Sequence, residues 1–187
     1  FAESGFRNLT NSVRPVRTPS DLQGLKIRLM EVPMHIETFK TLGANATPMA
    51  WGEVFTSLAQ GTIDGQENLN FGIKKKKIYE VNKYFTITEH FYTPMIIAIN
   101  KDIFEALSPE DQLAVREAAR ESIIMQREEA ERQNSAALKK CEEYGVKVIR
   151  DIDKQLWIDE VQPLYEKYEE EYGEYFKRIR EMDPMLK

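Results

Sequence analysis

An arginine inside an apolar strand pattern is the first residue that demands a chemical account. Arg28 sits in Lys26-Ile27-Arg28-Leu29-Met30, where Ile27 and Leu29 alternate onto one face. A guanidinium there is costly unless it reaches solvent or a partner. It can pair with a nearby acid such as Glu31 or Asp64, or its planar fork can hold a ligand carboxylate through two parallel hydrogen bonds. A second polar concentration, Asp64-Gly65-Gln66-Glu67-Asn68, follows an amphipathic helical stretch. A surface turn needs far fewer polar residues, so either this is a generous loop or several of these groups are aimed at something. The Asn68 amide can donate to one carboxylate oxygen while accepting elsewhere. Trp51 begins a helix and by position alone reads as a core aromatic. Of the two histidines, His35 falls in the first turn of a helix, whereas His90 precedes an aromatic approach to an apolar strand and is a candidate pocket residue.

Catalytic signatures are absent from the sequence. It has no G-x-S-x-G, no G-x-G-x-x-G and no Walker A loop. Neither histidine has a partner ligand at i+4, and the single cysteine, Cys141, sits in a helical pattern and reads as a packing residue. No catalytic residue, cofactor or metal is expected. Acidic residues outnumber basic ones 31 to 26, for a net charge of −5, which disfavours nucleic acid as a partner. The one basic run, Lys74 to Lys77, reads as a solvated helix face. Apolar residues at 42% and charged residues at 30% fit a folded domain or two small lobes in 187 residues. No stretch reaches the roughly 20 apolar residues of a membrane helix. The chain opens on Phe1 and not on Met, which reads as processing or cleavage, with a signal peptide expected in the precursor.

The elements that must position these residues follow in a short-connection rhythm. Asn8 to Arg17 reads as polar and irregular. Thr18-Pro19 opens a short helix ended by Gly24, and Lys26 to Met30 is a strand. A helix from about Met34 to Leu42 is closed by Gly43, and Ala46 to Met49 is extended. A second helix, Gly52 to Gln60, is closed by Gly61, and Ile63 opens a third strand. This is the order of an α/β fold with a parallel or mixed sheet. Ligands in such sheets bind beyond the carboxyl ends of strands, where Arg28 to Glu31 and a loop at Asp64 to Asn68 are expected. Pro94 to Ile99 has the composition of a buried strand. Ser108-Pro109 starts a helix with no break before Gly145, about 35 residues and roughly 50 Å long. Val146 to Ile149 is a strand, and Lys154 to Met182 forms one or two helices. The aromatics Trp157, Tyr165, Tyr168, Tyr172 and Phe176 read as a core-facing stripe.

The combination Gly24-Leu25-Lys26-Ile27-Arg28, Leu42-Gly43-Ala44-Asn45, Thr47-Pro48-Met49, Gly52-Glu53-Val54 and Asp64-Gly65-Gln66-Glu67-Asn68 resembles, in order and spacing, the signature region of DctP-type solute-binding proteins. These are the extracytoplasmic receptors of tripartite ATP-independent periplasmic (TRAP) transporters. The resemblance runs through essentially the whole chain. It implies a two-lobed periplasmic binding protein that closes on a small organic acid and meets membrane permease subunits. It implies that Arg28 makes a paired salt bridge with the ligand carboxylate, that Asn68 contacts the same group and that Trp51 packs on the ligand. By the same resemblance Arg7, in Gly5-Phe6-Arg7, assists, and Glu31 occupies a position that often contacts ligand. The long helix resembles the one that spans both lobes in the family.

Family members begin with strand-helix units that precede this region. The resemblance therefore implies that residues 1–93 and 134–187 belong to the second lobe, and 94–133 to a first lobe whose bulk is missing. Surfaces meant for that bulk would favour a homodimer. The sequence departs from the family at Leu69, where a proline is usual, and in its basic Lys74 to Lys77. Two other readings stand beside the receptor. One is an enzyme on a small acid with His90 or Glu31 as base; the other is a ligand sensor or interaction module not coupled to transport.

Overall fold

The computed structural model describes residues 1–182. Strand β1 spans Ala2–Asn11, which corrects the irregular reading of Asn8 to Asn11. These residues look unfit for a strand interior because they are polar, yet Asn8, Thr10 and Asn11 are buried. Thr10 Oγ1 donates to Asn82 Oδ1 at 2.8 Å and accepts from Gln66 Nε2 at 2.8 Å. Asn8 Nδ2 donates to Asn70 Oδ1 at 2.8 Å. Partnered polar side chains can occupy an interior that bare ones cannot. A 3-10 turn at Pro19–Leu22 follows. There the Asp21 carboxylate accepts the backbone N–H groups of Arg17 and Thr18 at 2.8 and 2.9 Å.

Strand β2 (Lys26–Leu29) buries Ile27 and Leu29, and Arg28 with them. Helix α1 (Pro33–Thr41) takes Pro33 in its first turn, where a missing N–H costs nothing. Gly43 stops it at φ +89°, a left-handed conformation that suits glycine. Strand β3 (Asn45–Pro48), a 3-10 turn at Trp51–Glu53 and helix α2 (Val54–Ala59) come next. Strand β4 is Gly65–Leu69 and helix α3 is Asn70–Lys75. The polar run Asp64 to Asn68 is therefore mostly strand and not the loop its composition suggests.

Strand β5 (Tyr84–Met95) ends early, and Ile96, Ile97 and Ile99 lie exposed outside any strand. The expectation of a buried strand at Pro94 to Ile99 is corrected, because no described element covers those residues. Helix α4 (Lys101–Glu105) leads to α5 (Pro109–Tyr144), 36 residues long. Ser108 Oγ accepts the Asp111 N–H at 3.1 Å, and Gly145 ends the helix at φ +99°. Strand β6 is Lys147–Ile149. The tail forms three helices, α6 (Lys154–Glu160), α7 (Gln162–Lys167) and α8 (Glu169–Met182), one more than expected. Pro163 in the first turn of α7 lacks the N–H that a continuous helix would need. The aromatic stripe is core only at Trp157. Tyr165 and Phe176 meet edge to face at 5.1 Å while Tyr165 remains exposed.

The chain forms two compact units. The first comprises Phe1–Pro15 and Gln66–Arg150, the second Val16–Gly65 and the segment from Asp151 onward. In the first, the strands run in the order β4-β1-β5-β6. β1 and β5 are antiparallel and β5 and β6 parallel. Helices α3 and α5 pack there, with Ala137 and Cys141 of α5 buried. Burial, and then the neighbouring Glu142, push the Cys141 thiol up to about 11, which leaves it a packing group. In the second unit β2 and β3 pair in parallel, Arg28 opposite Thr47, with α1 against β3. The fold is thus a mixed α/β one.

Candidate functional site

The six residues singled out in the sequence fall into two groups, one in each unit. In the first unit Arg7 lies on β1, Asn68 on β4 and His90 on β5. The register between β1 and β5 explains how His90 reaches this place. Leu9 faces Thr86, but Arg7 faces Phe91, so four residues of β5 stand opposite Asn8 alone. Such an irregularity re-aims side chains. It passes through Glu89 at φ +49°, and the Asn8 side chain holds it by accepting the Glu89 N–H at 2.9 Å.

Arg7 and His90 converge on Glu67. Arg7 Nε donates to Glu67 Oε2 at 2.5 Å and Nη2 donates to Oε1 at 2.8 Å. Nη2 also donates to the Glu67 carbonyl at 2.9 Å. His90 Nε2 lies 3.2 Å from Oε2, and its Nδ1 is 2.6 Å from Thr88 Oγ1. Arg7, Glu67 and Thr88 are all buried. Burial pushes the Glu67 carboxyl up, but hydrogen bonds from His90 and then Arg7 outweigh it and hold it down at about 2. In the sequence Glu67 is one member of the polar run Asp64 to Asn68, and Thr88 does not stand out at all. No local pattern marks Glu67, because its arginine partner is 60 residues away.

Asn68 is half-buried beside this cluster in sequence. Its Oδ1 accepts the Leu69 N–H at 2.8 Å. A Cβ at Gly72 would lie 3.1 Å from that oxygen, so the glycine of α3 makes room for the amide. Among the described residues the Asn68 Nδ2 has no acceptor, and it is not sealed from solvent.

In the second unit Arg28 and Trp51 come together. Arg28 Nε and Nη2 donate to the Met49 carbonyl at 2.8 and 2.6 Å. Its guanidinium carbon sits 5.5 Å from the centre of the Trp51 ring, within cation–π range. The Met49 carbonyl and the Trp51 ring thus help to hold this fork at the end of β2. Glu31, just past β2, is exposed. Asp64 serves the backbone. Its carboxylate accepts the Lys26 N–H at 2.8 Å, and its own N–H donates to the Lys26 carbonyl at 2.8 Å. No group of three acidic, histidine or cysteine side chains among the described residues is arranged to hold a metal ion.

Known proteins resemble this chain in sequence and fold. Residues 1–171 match the family DctP, bacterial extracellular solute-binding protein, family 7. A solute-binding protein of Verminephrobacter eiseniae is 40% identical over 173 residues, which is 92% of this chain and 52% of that protein. The 2,3-diketo-L-gulonate-binding periplasmic protein YiaO of Escherichia coli is 42% identical over 159 residues, 85% of this chain and 48% of its own length. A crystal structure of a TRAP periplasmic solute-binding protein from Chromohalobacter salexigens, with bound D-glucuronate, superimposes with a TM-score of 0.87 at 38% identity. The match covers 92% of this chain and 57% of that one. The chain spans about half the length of the curated relatives it matches.

Proposed function

The chain belongs to the DctP family of bacterial extracellular solute-binding proteins, and from that membership we propose that it is the part of a periplasmic TRAP receptor that reads the carboxylate of a sugar acid. In this reading Arg28 and Asn68 hold the carboxylate and Trp51 packs on the solute. Arg7 assists, Glu31 meets a ligand hydroxyl, and His90 lines the pocket. The receptor delivers the acid to membrane permease subunits and breaks no bond. Residues 1–93 and 134–187 serve the second lobe and 94–133 the first.

One observation carries the choice of solute: the D-glucuronate-bound relative is 38% identical over 92% of this chain. The side chains are consistent with it. Arg28 is a buried fork beside an aromatic face, and Asn68 has an unspent amide nitrogen. Isothermal calorimetry with D-glucuronate tests the proposal. Arg28→Ala removes one partner of a desolvated charged pair, so affinity falls at least about 30-fold. Unchanged affinity would remove Arg28 from the site and the carboxylate reading with it.

A further inference from the structure

We propose that Glu67 is a positioning residue for Arg7, and that Thr88 and His90 lock it in place so that Arg7 offers a solute a single nitrogen, Nη1. The inference rests on the proposed role of Arg7 at the ligand and says how that role is built.

A guanidinium is planar, so fixing two of its nitrogens fixes the third. Glu67 takes Nε at 2.5 Å and Nη2 at 2.8 Å on its carboxylate, and Nη2 again at 2.9 Å on its carbonyl. Nη1 makes no hydrogen bond among the described residues. It is also not one of the sealed side-chain atoms that lack a partner, so it opens to solvent. Arg7 therefore presents one donor edge, and that edge cannot swing.

Glu67 is itself held. An ionised carboxylate only accepts, so the His90 Nε2 at 3.2 Å carries the proton. When the imidazole is neutral, Nδ1 is the acceptor and the Thr88 hydroxyl at 2.6 Å donates to it. A one-way chain results, from the Thr88 hydroxyl through the imidazole to Glu67, with Arg7 closing it from the other side. The four side chains come from three strands, and the irregularity opposite Asn8 brings Thr88 and His90 to the same place. Because Glu67 neutralises Arg7, Arg7 contributes direction more than net charge. Its effect is to select where a solute oxygen sits.

The test uses the full chain, D-glucuronate and nitrogen-edited NMR of the histidines. Wild-type His90 should show the Nε2–H tautomer. Thr88→Val, which keeps the shape and removes the donor, should loosen His90 and weaken D-glucuronate binding about three- to tenfold. In an Arg7→Met background the same change should cost nothing further. Arg7→Lys replaces Arg7→Met if the latter does not fold, because lysine keeps the charge and loses the fork. An Nδ1–H tautomer in the wild type overturns the chain. Equal losses from Thr88→Val with and without Arg7 reduce it to general packing and overturn the positioning role. If D-glucuronate binds through Arg28 but shows no such coupling, positioning fails and the receptor reading survives. If D-glucuronate does not bind at all, both fail.

Discussion

Arg7 and Arg28 obey one rule, that a buried guanidinium needs partners, and they obey it with different chemistry. Arg7 faces a carboxylate, and the pair makes a closed unit in which each charge answers the other. Arg28 is bonded to a backbone carbonyl and lies over Trp51, contacts that fix its plane. The energetic weight of Glu67 can be read by titration. Its carboxyl is depressed from the ordinary 4.5 to about 2, so the unfolded chain binds this proton first as the pH falls. The stability that Glu67 contributes is complete above about pH 4.5 and is lost as the pH falls to about 2. Urea unfolding across that interval should show a steep acid slope, and Glu67→Gln should flatten it. Equal slopes in the two proteins would mean that Glu67 is no more stable as an anion in the fold than outside it. Arg28 is legible in the sequence because a charge interrupts an apolar alternation. Glu67 is not, because its neighbours Asp64, Gln66 and Asn68 are polar too. Nothing local separates a buried acid with a distant arginine from a solvated one.

Elements are readable where the cue is local and less so where it lies across the sheet. Helix stops at Gly43, Gly61 and Gly145 all occur at positive φ, since glycine is the residue that tolerates that conformation. Strands β1 and β4 are hidden in part because their polar side chains bond to other strands, as the Gln66 amide nitrogen does to Thr10. The two ends of α5 separate local from global stability. Its first turns lie exposed, whereas Ala137 and Cys141 near its end are buried. Ser108→Ala removes the acceptor of the Asp111 N–H and should cost the helix about 1 kcal/mol. That loss should appear as faster hydrogen exchange in residues 109–115 with little change in the urea midpoint. Gly145→Ala meets no atom within 4 Å, so its cost is conformational, about 1 to 2 kcal/mol. Since Gly145 leads directly from the buried end of α5 into β6, this loss should move the midpoint itself. A reversed pattern would place the stability of α5 at its first turns.

At the scale of the whole molecule, the chain carries more apolar surface than its own elements use. Ile96 is 73% exposed and Ile103 62%, and Ile97 and Ile99 are at least half exposed. Farther on, Ile124 and Met125 are exposed on α5. Reading Pro94 to Ile99 as a buried strand has a chemical basis, because such a run is built to be covered, but composition does not say by what. The relatives are about twice as long as this chain, so the matching run in them lies within a larger fold. In the 187-residue chain a second copy is a ready partner for this surface, since contiguous apolar patches drive association. Sedimentation over a range of concentrations should show a monomer–dimer equilibrium. Ile96→Lys with Ile97→Lys should move it to monomer, because burying either ammonium in the contact is far costlier than leaving it in water. The same double variant should leave the urea midpoint of the monomer nearly unchanged, as both side chains already face solvent. If it dimerises as before, the contact lies elsewhere, and the exposed face of α5 at Ile124 and Met125 becomes the surface to alter next.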